Sequence, residues 1–345
     1  MALIVLGAGA TRGASFVEEN TQGGVCLPPL DGDFFTQLQR ISNPKHKATI
    51  DNVIKHAVEL FGNNFSVTLE TMFTTVEHTL RMVKATRGGR RFTASDLEKM
   101  RSDLLQAIAA VLEESLTKGD SSRDLQECKY HQRVVNKLTG SDAIISFNYD
   151  CLIDDTLKRH GDEKWDARYG YHLPLPMGRD KKSIGERWWN PDTPAVSGES
   201  IELLKLHGLV HFSKVNEKLF QLKQRPYTRQ KGNLRFEIIP PEWNKHFDEG
   251  VFGILWSAAR DAIHAAKTIV VIGYSFPVTD LHASALFRVG VPKGKLKNVV
   301  VVNPDREARR RTLDVLRHGL SKSTRVLVFD SLKEFSSVDR SLWPG

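Results

Sequence analysis

Ala2-Leu3-Ile4-Val5-Leu6, running directly into Gly7-Ala8-Gly9-Ala10-Thr11-Arg12-Gly13, decides how the rest of the chain is read. A short apolar run of this kind reads as a strand buried on both faces, the character of strands in parallel sheets. Glycines at its end would let backbone N–H groups approach a phosphate at the start of the following helix. The match to a dinucleotide-binding fingerprint is incomplete. Its third glycine falls one position late, and no acidic residue closes a second strand about 20 residues on. A tight turn accounts for these glycines as well.

Five further runs share the character of the first: residues 143–147, 203–206, Thr268–Ile272, 299–302 and Arg325–Phe329. Their alternation with helical patterns predicts an α/β fold, a Rossmann-like open parallel sheet whose ligands sit at the carboxyl ends of the strands. The chain reads as one domain, residues 1–345, with a sheet core over residues 1–40, 140–155, 200–213 and 265–335.

A large helical insert is expected over residues 41–139. Residues 47–60 and 69–83 have helical periodicity. Ser95 and Glu98 form a capping-box pattern ahead of Leu97, Met100, Leu104, Ile108, Val111 and Leu112, with Gly119 as the stop. Little catalytic content is expected of this insert. A smaller β-containing subdomain is expected over residues 156–199 and 214–264. It has a polar stretch with Trp188, Trp189 and Pro191, then short alternating runs at 209–213, 219–222 and 234–239, and a helix over 252–265.

The 345 residues are 40% hydrophobic and 26% charged, which is ordinary globular composition and excludes disordered and fibrous classes. No apolar run approaches the roughly 18 residues of a membrane helix. The N-terminus lacks a basic leader, so neither a secretory signal nor a membrane association is expected. Cys26, Cys128 and Cys151 are odd in number and contain no C-x-x-C pair. They can build neither a disulfide framework nor a four-thiolate zinc site, so no metal is expected and the cytoplasm is the natural compartment. The net charge of +8 can help attract a pyrophosphate. The densest basic stretches, 87–91 and 306–311, read as solvated surface, and direct nucleic-acid binding is not expected.

Four more strand ends carry candidate chemistry. Phe147-Asn148-Tyr149-Asp150 places an amide and a carboxylate two residues apart, suited to a ribose or a carboxamide, or equally to capping the next helix. Lys205-Leu206-His207-Gly208 ends a strand on an imidazole suited to general-base work, unless His207 is simply packed in the core. Gly273-Tyr274-Ser275 repeats the strand–glycine–hydroxyl arrangement, and Val302-Asn303-Pro304-Asp305 offers an amide and a carboxylate to ribose hydroxyls.

Taken in order, Gly7-Ala8-Gly9-Ala10-Thr11, Pro28-Pro29-Leu30, Gly32-Asp33-Phe34-Phe35, Phe147-Asn148-Tyr149-Asp150, Lys205-Leu206-His207-Gly208, Gly273-Tyr274-Ser275 and Asn303 resemble the SIR2-like family. That group includes the sirtuins and many prokaryotic NAD-cleaving defence proteins. The resemblance covers more than half of the chain. It implies that Gly7, Ala8, Gly9, Thr11 and Phe34 cover the pyrophosphate and nicotinamide ribose of NAD. It further implies that Asn148 orients the ribose or the attacking water, that Asp150 lies near the carboxamide, and that His207 is the catalytic base. Gly273, Tyr274, Ser275 and Asn303 would hold the adenosine half.

The chain departs from sirtuins in lacking their zinc ribbon and in carrying Phe147 where they have Gln. Its expected activity is therefore hydrolysis of NAD, its substrate, to nicotinamide and ADP-ribose, as an antiviral effector acting by NAD depletion. No obvious pair of flanking carboxylates is expected. The alternatives are a protein deacylase or ADP-ribosyltransferase, and a non-catalytic subunit that senses NAD or ADP-ribose. The resemblance also implies control by homo-oligomerisation or by a separate partner such as a helicase-type ATPase or an Argonaute-like protein.

Overall fold

In the computed structural model the described residues are 1–20, 23–86, 91–118, 124–166, 170–171, 200–216, 219–222, 236–239 and 250–343. The strands in chain order are β1 (Ala2–Leu6), β2 (Ala143–Ser146), β3 (Glu202–Lys205), β4 (Gly208–Asn216), β5 (Leu219–Leu222), β6 (Phe236–Ile238), β7 (Thr268–Ile272), β8 (Asn298–Val302) and β9 (Arg325–Phe329). The six apolar runs form one sheet in the order β3-β2-β1-β7-β8-β9, and every neighbouring pair is parallel. Counting these six alone, the order is 3-2-1-4-5-6, that of doubly wound sheets that bind dinucleotides where the order reverses. The reversal here lies between β1 and β7.

Continuous apolar runs suit the inner strands because helices cover both faces. Every residue of β1, β2, β7 and β8 is buried, and each large aliphatic side chain among them contributes about 1.5–3 kcal/mol relative to exposure. β9 closes one edge and is largely exposed. The architecture is the α/β, Rossmann-like open parallel sheet that the strand pattern predicts.

The long connection from β1 to β2 contains the helices Lys47–Phe61, Leu69–Thr86 and Ala94–Leu116. Leu97, Met100, Leu104, Ile108, Val111 and Leu112 are all buried along the third of these. Its capping box is formed by Thr93 and Asp96, two residues earlier than Ser95 and Glu98. Thr93 Oγ1 accepts the Asp96 amide at 3.2 Å, and the Asp96 carboxylate accepts the Thr93 amide at 2.8 Å. Both pairs have the required spacing. The earlier one wins because it puts Phe92, packed against the core, and buried Leu97 at the two positions of a hydrophobic staple. Gly119, residues 87–90, Trp188, Trp189 and Pro191 lie outside the described residues.

β4, β5 and β6 make a separate antiparallel sheet in the order β5-β4-β6. The chain passes from the parallel to the antiparallel sheet at His207-Gly208, where Gly208 takes a left-handed φ of 78° that favours glycine. No helix among the described residues is long and apolar enough to cross a membrane.

Candidate functional site

A cavity of about 680 Å³ opens at the carboxyl ends of the strands, across the β1–β7 reversal. That volume lies within the range of small-molecule and cofactor sites. Gly7, Ala8, Gly9 and Thr11 line it after β1, with Asn148 and Asp150 after β2 and His207 after β3. Gly273, Tyr274 and Ser275 line it after β7, Asn303 after β8, and Phe34 from the start of the helix Phe34–Gln39 that precedes the insert. Every residue singled out in the sequence for binding or catalysis therefore meets in one place.

The glycines of the first loop serve the neighbouring loop. The Gly7 amide donates to Ile272 O and the Gly9 amide to Gly273 O, each at 3.0 Å. A Cβ on Gly9 would lie 2.8 Å from Gly273 Cα, and a Cβ on Gly273, whose φ is +62°, would lie 2.1 Å from the Ala10 nitrogen. The two loops interlock at the strand reversal at a distance that excludes side chains from both. That close approach, more than any phosphate, sets the glycine spacing after β1, and it explains why the pattern departs from the dinucleotide fingerprint.

Asn148 is buried and its amide is divided between two environments. Nδ2 donates to Gly7 O and to Thr11 Oγ1, both at 3.1 Å, whereas Oδ1 is buried with no hydrogen-bond partner. Since Gly7 O can only accept, the orientation of the amide is fixed and Oδ1 is the atom left over. An unsatisfied buried acceptor on the wall of a cavity is a fit for a ligand donor. Asp150 is fully engaged: Oδ2 accepts from the Thr11 hydroxyl at 2.7 Å and Oδ1 from the Leu152 amide at 2.9 Å. It therefore satisfies the first amide of the helix Leu152–His160 from one residue before the N-cap Cys151 and ties Thr11 to the end of β2, and any contact with a carboxamide must share these oxygens. Lys205, almost fully buried, donates to Asp150 O at 2.7 Å and pairs with buried Asp154 at 3.3 Å.

His207 is both packed and cavity-lining. Its ring meets Phe147 edge-on at 5.0 Å, and Phe147 stacks on Tyr274 at 4.2 Å. Its Nε2 lies 3.5 Å from Asp280 Oδ2, and that same oxygen accepts the Tyr274 hydroxyl at 2.7 Å. Burial and then the Asp280 charge push the Tyr274 phenol well above its ordinary range, so it remains a donor at any working pH. At the far end, Asn303 Oδ1 accepts the Asp305 amide at 3.0 Å. Arg309 Nε donates to Asn303 O at 2.5 Å and Arg311 Nε to Ser275 O at 2.9 Å.

Asp280, Arg12 and Glu70 are groups on the cavity wall to which the sequence assigned no role. Asp280 sits in Val278-Thr279-Asp280-Leu281, where an Asp before a helix reads as a cap; its second oxygen carries the contact to His207. Arg12 donates to Pro28 O at 2.6 Å and pairs with Asp33, which holds the 28–33 loop over the cavity. Glu70 begins an insert helix and accepts from Thr279 Oγ1 at 2.5 Å, while its amide donates to Asp31 Oδ1 at 2.8 Å. With Leu69, Ile108 and Leu112, it makes the insert, of which little catalytic content was expected, one wall of the cavity. Among the carboxylates that line the cavity, Asp150, Asp280 and Glu70 each accept from a protein hydroxyl.

Outside the cavity, Cys128 and His131 form a buried pair, Sγ to Nδ1 3.0 Å, behind Ser15. Burial would raise the thiol, but the His131 charge and two backbone amides outweigh it and bring Cys128 down to about 6. Among the described residues, no group of three His, Cys, Asp or Glu side chains is placed to hold a metal ion.

Fold and site together define an open doubly wound α/β protein with a cavity of small-molecule size at its switch point. No protein-family model matches the chain, and no curated protein matches it. Among solved structures, the chain is similar to a SIR2 homolog in complex with NAD, at 11% identity and a TM-score of 0.35, over 97% of this chain and 85% of that one. A likeness so loose bears on neither ligand nor activity, which rest on the site itself.

Proposed function

We propose that this protein binds NAD in the switch-point cavity and hydrolyses its nicotinamide–ribose bond, releasing nicotinamide and ADP-ribose. The observation that carries this reading is the pairing, in one cavity, of an orphaned amide acceptor with a carboxylate-backed imidazole. Asn148 Oδ1 has no protein donor, which suits it to hold a water or a ribose hydroxyl. His207 suits the proton transfer from that group, since general-base work needs a titratable side chain near neutrality. Bond cleavage at the ribose carbon has oxocarbenium character, and oriented hydrogen bonds in a water-poor cavity stabilise such a state without a covalent partner. Thr11 and Asp150 act as positioning residues, because their mutual hydrogen bond fixes the wall against which Asn148 lies. The order of motifs along the chain, which resembles that of SIR2-like NADases, supports the same reading.

In this proposal the enzyme is a homo-oligomer, restrained until a separate partner or the state of its assembly releases it, as an antiviral effector requires. Protein deacylation and ADP-ribosyl transfer differ only in the acceptor that replaces water. Incubation of the purified protein with NAD alone separates the readings. Free nicotinamide and ADP-ribose in equal amounts are expected. Turnover that appears only with an acylated or acceptor protein would assign a transferase or deacylase, and binding without turnover would assign a sensor.

A further inference from the structure

The carboxylate behind His207 comes from a loop whose shape is costly. Between β7 and the helix Leu281–Gly290 the chain turns back on itself, with Gly273 at φ +62° and Phe276 at φ +44°. A left-handed conformation is unfavourable at a residue as large as Phe. Phe276 is held there by burial, edge-on to Tyr274 at 4.7 Å and to Phe287 at 5.3 Å. The outcome of this folding back is that Asp280, 3% exposed, reaches the end of β3.

The two oxygens of Asp280 do different work. Oδ1 accepts the Ala283 amide at 3.4 Å and caps the helix. Oδ2 accepts the Tyr274 hydroxyl at 2.7 Å and faces His207 Nε2 at 3.5 Å. Helix capping needs only the first oxygen and no charge. A buried carboxylate with a second oxygen turned to a buried imidazole exceeds what a cap requires, and both groups open on the cavity.

We infer that Asp280 is the positioning residue for His207: its carboxylate orients the imidazole in the cavity and stabilises the imidazolium formed when that ring accepts a proton. The catalytic consequence rests on the NAD-cleavage reading, whereas the pairing of the two side chains does not. The logic is that of any base held by a third group. Tyr274 tunes the pair, because its hydroxyl competes with His207 for the same oxygen.

The ionisable groups around the ring, among the described residues, come from each element packed on it. Asp280 and Tyr274 belong to the β7 loop. Tyr149, tilted over the ring at 6.2 Å, belongs to the β2 loop and donates its hydroxyl to Ile239 O at 2.8 Å. Lys205, on β3 itself, is committed to Asp150 O and Asp154, and Glu70 of the insert is bonded to Thr279. Phe147 meets the ring edge-on, and Trp256 Nε1 donates to the carbonyl of the preceding residue, Leu206 O, at 3.2 Å.

Histidine-labelled protein titrated by NMR tests this without reference to activity, the His207 signal being assigned from its loss in His207→Gln. Asp280→Asn keeps a capping oxygen and removes the charge, and the His207 midpoint is expected to fall by about one unit or more. Tyr274→Phe removes the competing donor and is expected to move the midpoint the other way. In parallel, Asp280→Asn is expected to lower kcat for NAD at least about tenfold, to leave KM within about twofold, and to shift the acidic limb of the kcat profile to lower pH. A midpoint that stays put in both variants overturns the inference, even if NAD is cleaved. Midpoints that move in opposite directions in a protein that cleaves no NAD leave the inference standing and overturn the proposed reaction.

Discussion

Asn148→Ala separates a ligand-binding amide from a structural one, because the two halves of the side chain make opposite contributions to the free protein. Removing Nδ2 deletes the bonds to Gly7 O and Thr11 Oγ1, a loss of about 0.5–1.5 kcal/mol each. Neither acceptor is stranded, since Gly7 O also takes the Ala10 amide at 2.8 Å and Thr11 Oγ1 still donates to Asp150. Removing Oδ1 deletes a buried acceptor without a partner, which returns about 1–3 kcal/mol. The two effects nearly cancel, so the ligand-free variant is expected to melt within about 5 °C of the parent. Turnover of NAD is expected to fall at least about 100-fold, the usual consequence of losing one oriented hydrogen-bonding group at a reacting centre. Differential scanning calorimetry without ligand and product release with NAD measure the two quantities on one preparation. Asn148→Asp is the control: it retains an acceptor at Oδ1 but turns a carboxylate oxygen towards Gly7 O, and should melt well below Asn148→Ala. Turnover within a few-fold of the parent would remove Asn148 from the reaction. A fall of more than about 10 °C in Asn148→Ala would show that its amide is chiefly structural and that the cancellation is wrong.

Gly9→Ala places a Cβ 2.8 Å from Gly273 Cα and O, against backbone that has no room to move. A loss of about 1–3 kcal/mol by overpacking is expected in a chemical melt, with NAD binding reduced as the two loops separate; a stabilised variant would refute the interlock. Lys205→Met leaves Asp154 buried opposite an apolar side chain and removes the donor to Asp150 O, so a loss of about 3–5 kcal/mol is expected in urea unfolding. Cys128→Ala tests the buried thiolate–imidazolium pair through pH. The folded thiol lies at about 6 against an ordinary 9.0, so its contribution is lost as pH falls through 6. His131 is raised from 6.5, despite burial acting the other way, chiefly by the Cys128 charge, so its contribution is lost only as pH rises through that higher value. Above 6.5, for as long as His131 in the folded protein keeps its proton and free thiol keeps its own, folding merely moves a proton from thiol to imidazole and the pair's contribution is level. The melting gap between parent and Cys128→Ala should therefore be wide at pH 7–8 and narrow at pH 5, and a gap independent of pH would show that the pair is neutral.

The sheet was legible because strands buried on both faces must be continuous apolar runs, and β1, β2, β7 and β8 are. Their carboxyl ends were legible for a related reason. A buried strand that stops at glycine, asparagine or histidine puts that residue at the mouth of the sheet, and so Gly7, Asn148, His207, Gly273 and Asn303 converge. Strand neighbours were not legible. Nothing local in Thr268–Ile272 states that it pairs with β1, and that pairing is what turns the glycines of both loops into a mutual packing requirement.

The residues that escaped sequence reading have one physical property in common: each has a local role that fully accounts for it. Asp280 caps a helix, Glu70 sits in the first turn of another, where an acid is ordinary, and Arg12 ends a short helix with a basic residue, equally ordinary. Only the long-range partner reveals the second role, and each partner lies in a different part of the chain: His207 after β3, Thr279 on the β7 loop, Asp33 before the insert. The strand ends supply the groups proposed to meet the substrate, whereas caps and first turns supply the groups that hold them. Composition and periodicity can find the first set. The second becomes visible only when a cap's spare oxygen is seen to face something buried, as Asp280 Oδ2 faces His207.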